Sequence, residues 1–344
     1  MTPRPDVEHA YWRFAAERQA IFHRRVRGDP APWTDNSILR QYKFCNAYRA
    51  SDRASQFLIR HVIYDGIKRS AEDELLRIVL FRLFSRIQTW EALDRAVGGI
   101  DANRFDPDRY GSVLDRVRTT GPIYTAAFIL CATNAFGQLS KHRNHMLLLV
   151  DMMRTGLPRR VACARSLRAV FEALLEYPLI GPFMAYQIAT DINYSELTDF
   201  SENDFTVAGP GALRGIGKVF TDTGGCKPDT VIMEMVEQQE AAFESRGIDF
   251  QDLFGRPLQA IDCQNLFCEV DKYSRLAFPE LKTNRVRIKV KFQQTGPIPQ
   301  PFYPPKWGIN EHIGDAARNV QLGACGFDSS RPVPSLRPES ADLN

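Results

Sequence analysis

Apolar residues return every three or four positions along most of the first 280 residues of this 344-residue chain, and only one stretch alternates with period two. A helix buries one stripe of a 3.6-residue period while a half-buried strand buries every second residue, so the pattern commits the chain to a mainly α fold. Helices are expected over residues 9–27, over 38–64 with short breaks near Asp52, and over 72–86. Further helices are expected from Thr89, read as an N-cap before Trp90-Glu91-Ala92, and from Asp106-Pro107 to Thr120. Residues 124–135 are apolar on nearly every side and are expected at the centre of the core. Helices over 142–155, 166–176, 183–192, 229–246 and 262–275 complete the all-α body.

The exception to the helical period is Arg285-Val286-Arg287-Ile288-Lys289-Val290-Lys291-Phe292, which reads as a short strand with cations on one face. Such a face can track phosphates, or it can protect a sheet edge by charge. Residues 296–307 are rich in Pro, and 323–344 in Ser, Pro and Gly. The expected organisation is therefore a helical domain over 1–292 and a C-terminal extension over 293–344, partly disordered after residue 315.

No apolar run approaches the ~18 residues that span a bilayer. The first 27 residues are Arg-rich but include Asp6, Glu8 and Glu17 without an apolar core, so neither a membrane protein nor a secretory leader is expected. Seven cysteines are scattered without a C-x-x-C pair, which suits a reduced, cytoplasmic protein, nuclear if the source is eukaryotic, with no zinc site and no cofactor. The net charge of +3 is unevenly divided. Residues 186–280 hold 7 Lys/Arg against 17 Asp/Glu, a balance of −10, and the rest carries +13. A basic body with an acidic segment fits a polyanion partner and carboxylate chemistry in one place. Glu234, Glu237, Glu240 and Glu244 recur at helical spacing, and an ordinary solvated face accounts for them equally well.

Four constellations stand out. Residues 177–188 read as a helix end, a tight turn and a new helix with Pro182 first, where a missing N–H does no harm. This resembles the helix-hairpin-helix of DNA glycosylases, whose turn amides hold a DNA phosphate. That hairpin usually has two glycines; here Leu179 stands where the first would be and Gly181 keeps the second, and any short αα-hairpin reads similarly. Asp204 follows Gly181 by 23 residues, the spacing at which glycosylases of this kind place a catalytic Asp. It opens a run with Gly209, Gly211, Gly215 and Gly217, which implies a backbone that approaches something closely. A P-loop is excluded by the spacing from Gly211 and by Val219 in place of Ser or Thr.

The third constellation lies over 262–275, where Asn265, Glu269 and Lys272 share one helix face. A carboxylate, an amide and an ammonium so aligned can deprotonate a polar substrate or neutralise a leaving phosphate, although a plain surface Glu–Lys pair has the same spacing. The fourth covers 33–56, where Trp33, Tyr42, Phe44 and Tyr48 interleave with Arg, Lys and Asn. These are materials for stacking a base and pairing phosphates, or else plain core aromatics.

Together these segments resemble the helical domain of 5-hydroxymethyldeoxyuridine DNA kinases and the related α-glutamyl/putrescinyl-thymine pyrophosphorylases, over roughly residues 30–280. Four features carry the resemblance: the core Phe44-x-Asn46-x-x-Arg49-x-x-Asp52-Arg53; Gly181-Pro182-Phe183-x-Ala185-Tyr186-Gln187 with Asp191; the run from Asp204-Phe205 to Gly215; and Phe267-Cys268-Glu269-x-Asp271-Lys272-Tyr273. It implies a glycosylase-like helical fold serving DNA base hypermodification. The kinases add a P-loop domain, and with no Walker motif here the resemblance points to the pyrophosphorylase-like branch. The implied reaction replaces pyrophosphate on a 5-pyrophosphoryloxymethyl pyrimidine of DNA with an amine, an amino acid or polyamine. A base kinase of the same pathway is then an expected partner, and no membrane is.

That reaction implies base flipping, with Tyr42, Phe44 or Tyr186 stacking on the base. Asp204 or Glu269 would act as general base, and Arg49, Arg53 and Lys272 would face the leaving pyrophosphate. Asn46, Asp52, Gly181, Gln187, Asp191, Gly209, Gly211, Asn265 and Tyr273 complete the expected substrate and DNA contacts. Two alternatives remain: an N-glycosylase in which Asp204 stabilises an oxocarbenium-like sugar, and a non-catalytic DNA-binding component of a modification system.

Overall fold

The computed structural model describes residues 1–125, 134–281, 285, 287, 288, 290–293, 296 and 298–313. The apolar stretch expected at the core centre falls largely outside them, as does everything after residue 313. The described chain is mainly helical. The helices are α1 (Pro5–Arg27), α2 (Ser37–Gln41), α3 (Arg53–Phe57), α4 (Ala71–Phe84), α5 (Ile87–Val97), α6 (Pro107–Thr120), α7 (Lys141–Arg154), α8 (Leu157–Ala162), α9 (Leu167–Leu175), α10 (Pro182–Ile192), α11 (Pro210–Val219), α12 (Pro228–Ser245) and α13 (Ala260–Ala277). One small antiparallel pair joins β1 (Thr2–Pro3) to β2 (Phe220–Asp222).

Local chemistry sets the helix ends. Pro5 opens α1 with Asp6 and Glu8 in its first turn, and Arg24, Arg25 and Arg27 lead to left-handed Gly28, matching the helix dipole at both ends. Asp106 caps α6 by accepting from the N–H groups of Asp108 and Arg109. Thr89 is not a cap, because α5 starts at Ile87 and the Thr89 hydroxyl instead donates to the Ile123 carbonyl at 2.8 Å.

Two further expectations are corrected, and the close approach implied by the glycine run gains its partner. Residues 38–64 do not form a near-continuous helix: 42–52 are irregular apart from a turn at Arg49–Ser51, and α3 runs into a π-turn at Leu58–Ile63. Side chains from distant segments hold that irregular stretch. The glycine run lies at the start of and inside α11, and what its backbone approaches is α13 and, at Gly209, the Phe183 ring of α10. A Cβ on Gly215 would sit 2.1 Å from the Phe267 carbonyl oxygen, one on Gly211 2.8 Å from the Cys268 sulfur, and one on Gly209 2.7 Å from the Phe183 ring. Finally, the described part of 285–292 makes one isolated antiparallel bridge, Tyr42 to Lys291, and Val290 is 55% exposed, so the alternation does not mature into a ladder.

Two buried carboxylates knit the helices. Asp191 of α10 is fully enclosed and receives the guanidinium of Arg82 from α4, with Nη2 at 2.7 Å, and that of Arg49, with Nη2 at 2.8 Å. Asp271 of α13 receives Arg214 and Lys218 of α11 and Arg275 of its own helix, at 3.0, 3.2 and 2.7 Å. Burial pushes the Asp271 carboxyl up, but Arg275, Lys218 and Arg214 outweigh it and hold it below the ordinary carboxylate range.

The segment 301–313 returns to this body. Tyr303 is fully buried with its hydroxyl 2.8 Å from that of Ser51, and Lys306 donates to the carbonyls of Ser195 and Thr198. Trp307 lies against Tyr194 and beneath the Arg256 guanidinium at 3.9 Å.

Replacing Asp191 by Ala leaves two buried guanidiniums without their acceptor and is expected to cost about 3–5 kcal/mol in urea unfolding. Gly215→Ala, which drives a methyl into the α13 backbone, is expected to cost at least ~1–3 kcal/mol by the same measurement, whereas exposed Gly217→Ala has open space and loses nothing comparable.

Candidate functional site

The irregular stretch 42–52 between α2 and α3 has no helical ladder to satisfy its amides, and at Cys45, Asn46 and Arg49 side chains satisfy them instead. Cys45 N–H donates to Glu269 Oε2 of α13 at 2.9 Å, and the next amide, Asn46 N–H, donates to Asp52 Oδ1 at 2.8 Å. Two carboxylates far apart in the sequence therefore meet at adjacent peptide groups. Arg18 of α1 completes the arrangement, its Nε donating to the Cys45 carbonyl at 2.9 Å and its Nη2 to Asn46 Oδ1 at 2.8 Å. Asn46 closes the turn by donating from Nδ2 to the Ser51 carbonyl at 2.7 Å.

Lys272, one turn beyond Glu269, bonds the same Oε2 at 2.6 Å and lies over the Phe44 ring at 4.6 Å. The Glu–Lys pair read from helical spacing is thus real, but it is not an ordinary surface pair, because Glu269 is 9% exposed and also grips the Cys45 backbone. Burial pushes Asp52 up to about 6, against the pull of the Asn46 N–H and Arg18, and the neighbouring Glu269 charge adds to the rise. A carboxylate of that acidity remains ionised at neutral pH yet is a far better proton acceptor than an ordinary one.

Phe44 packs edge to face on Phe14 at 5.3 Å and lies 6.2 Å from Tyr273. Phe14 and Tyr273 in turn line a cleft of about 720 Å³ between α1 and the 32–36 loop, together with Arg13, Trp33 and Asn36, whose Nδ2 donates to the Tyr273 hydroxyl at 3.0 Å. A shared aromatic wall therefore separates the carboxylate pair from an open, mixed-charge cleft.

The other expected site residues are distributed elsewhere. Arg49 is 3% exposed and spends its guanidinium on Gln187, Tyr194 and Asp191, while its N–H donates to Asp262 at 2.7 Å. Gln187 and Asp191 are buried with it, and Tyr186 is enclosed against Phe205 with ring centres 5.4 Å apart. Arg53 is exposed at the start of α3, and Asn265 is half-buried on α13. Gly209 and Gly211 serve helix packing, as described above. Gly181 is the exposed N-cap of α10, preceded by a turn in which Leu179 adopts φ 70°. Asp204 is exposed and accepts from the Arg168 N–H at the start of α9 at 3.2 Å. It lines neither that cleft nor the carboxylate pair.

Arg18 has a signal in the sequence that motif reading passes over. It occupies the apolar stripe Tyr11, Phe14, Ala15, Ile21 and Phe22 of α1, where a charge requires a partner. Asp262 was likewise legible only as a helix-start residue. Burial, reinforced by the Glu202 charge, raises it to about 7.

The family model described as the helical domain of 5-hmdU DNA kinase matches residues 6–283. A 5-hmdU DNA kinase of Bacillus phage SP10 is 27% identical over 279 residues, covering 75% of this chain and 43% of the phage protein. The chain thus spans less than half the length of that relative. No solved structure matches it.

The acidity of Asp52 has a measurable consequence. Its folded value of about 6 exceeds the ordinary 3.8, so between those values the folded protein holds a proton that the unfolded chain releases. Its contribution to stability is full below about pH 4 and is lost as the pH rises through about 6. Asp52→Asn keeps an acceptor for the Asn46 N–H and removes that loss. The variant is expected to be the more stable at pH 7, by at most about 3 kcal/mol, with the difference vanishing near pH 4 in urea titrations.

Proposed function

Because the chain belongs to the 5-hmdU DNA kinase helical-domain family, we propose that it acts on a 5-substituted pyrimidine of DNA within a base-hypermodification system. The observation that carries the reading is the carboxylate pair Asp52–Glu269 on the adjacent amides of Cys45 and Asn46, flanked by Arg18 and Lys272. The reaction we assign is displacement of pyrophosphate from a 5-pyrophosphoryloxymethyl pyrimidine by an amine. The amine nitrogen forms a bond to the 5-methylene carbon, the carbon–oxygen bond to pyrophosphate breaks, and the nitrogen's excess proton passes to Asp52 or Glu269. Lys272 and exposed Arg53 offer positive charge to the departing anion. No Walker motif occurs within these 344 residues, so transfer from a nucleoside triphosphate finds no phosphate cradle in them.

The α9–α10 turn supports a glycosylase-like hairpin within this reading. Leu179 adopts the left-handed conformation that the missing glycine would favour, and Pro182 opens α10. The base would reach the carboxylate pair by leaving the stack, with Phe44, Tyr42 and Tyr273 as the aromatic surface nearest to it, rather than enclosed Tyr186. The N-glycosylase alternative is disfavoured by Asp204, which stands exposed as a helix-cap acceptor away from the carboxylate pair and the cleft.

The test is conversion of DNA carrying 5-pyrophosphoryloxymethyluracil in the presence of amino acids and polyamines, read by nucleoside mass spectrometry. Glu269→Gln and Asp52→Asn are expected to lower the rate about 100-fold or more while DNA binding persists. Wild-type rates in both variants would remove the carboxylate pair from the mechanism, and abasic sites in place of substituted bases would identify a glycosylase.

A further inference from the structure

Two tracts without a single acidic residue, 250 positions apart, lie side by side in the fold. Between Asp35 and Asp52 the chain carries Arg40, Lys43 and Arg49, and between Glu280 and Glu311 it carries six Lys and Arg but no Asp or Glu. Antiparallel pairing joins them: Tyr42 bridges Lys291, Lys43 N–H donates to the Val290 carbonyl at 3.0 Å, and Phe292 N–H donates to the Gln41 carbonyl at 2.9 Å. Arg275 of α13 ties down the other end by donating to the Arg287 carbonyl at 3.0 Å, and Ile288 is buried beneath. The Phe292 ring meets Trp33 edge to face at 6.4 Å. The result is a ribbon anchored by backbone hydrogen bonds and one apolar contact, on which Arg40, Lys43, Arg287 and Lys291 are all exposed.

Arg40, Lys43, Arg287 and Lys291 are exposed within a few residues of one bridge, and positive charge gathered so on a solvated surface favours an anionic partner. The first ribbon segment ends two residues before Cys45, whose amide donates to Glu269. We infer that it is the seat of a nucleic-acid phosphate backbone, which would lay a DNA strand along Arg40, Lys43, Arg287 and Lys291 and bring its bases to the carboxylate pair. The extended form suits this partner, because successive phosphates repeat along a line whereas a single small anion would engage one or two cations. The inference rests on the DNA reading above and adds the surface on which DNA lies.

The experiment uses the full chain and an unmodified DNA duplex of about 20 base pairs, with affinity measured by fluorescence anisotropy between about 50 and 200 mM salt. A triple variant, Lys43→Gln with Arg287→Gln and Lys291→Gln, is expected to bind at least tenfold more weakly at the low-salt end. The slope of log affinity against log salt should be shallower by about 2–3, since each lost phosphate contact removes roughly 0.9. A control triple at exposed Lys68, Arg95 and Arg116, each changed to Gln, should bind as wild type. Equal unfolding midpoints establish that the ribbon variant is folded, and a variant that has lost its fold is replaced by the charge reversal Lys43→Glu alone, expected to weaken binding in the same direction.

Unchanged affinity and slope in the ribbon variant would overturn the surface while leaving the base chemistry standing. Failure of the wild-type chain to bind any DNA would overturn both. Ribbon-dependent binding to anionic phosphatidylserine vesicles with DNA affinity untouched would replace DNA by a lipid surface and overturn the inference.

Discussion

The structure depends first on a charge taken out of water. Asp191 is fully enclosed, and burying a carboxylate there is tolerable only because two guanidiniums, from Arg49 and Arg82, converge on it. Arg82 belongs to α4 and Asp191 to α10, while Arg49 belongs to the irregular stretch that carries the carboxylate pair. One ion triad therefore joins the two halves of the helical body to the loop. Arg49 also donates through its backbone to Asp262 at the start of α13, so the helix that carries Glu269 and the loop that carries Asp52 share an anchor.

This arrangement reinterprets the charge asymmetry of the chain. Much of the acidity between residues 186 and 280 is internal wiring: Asp191 pairs with two buried arginines, Asp271 with Arg214, Lys218 and Arg275, and Glu202 with Arg256 at 2.6 Å. Others, such as Glu237, Glu240 and Glu244, lie on the solvated face of α12. Only Glu269 from this segment contributes to the carboxylate pair, and its partner Asp52 comes from the basic half. The division into a basic body and an acidic reaction centre holds only in outline, because folding mixes the two.

Particular residues show what was legible and why. Amphipathic helices with their own caps, such as α1 and α6, were readable because both period and capping are local. The alignment of Glu269 with Lys272 was readable for the same reason. The stretch 42–52 reads as helix in the sequence but is not one, since its conformation is imposed by Glu269, Arg18 and Arg49 contacts that span up to 224 positions. The glycines of α11 announced a close approach, but only the packed structure identifies α13 as what they approach.

The sequence by itself determined the helical class, helix ends that carry their own signal such as Gly28 and Asp106, the Glu269–Lys272 pair and the membership of Phe44, Asn46 and Asp52 in one motif, because these follow from short-range periodicity, capping and motif order. Only the tertiary structure decided which of those polar groups remain available to a substrate. It enclosed Arg49, Gln187 and Asp191, left Asp204 as a helix-cap acceptor, and brought Glu269 to Asp52 across the Cys45–Asn46 peptide. Availability depends on burial and on partners far away in the chain, and a carboxylate reads the same in a sequence whether it ends beside two buried arginines or on a pair of backbone amides.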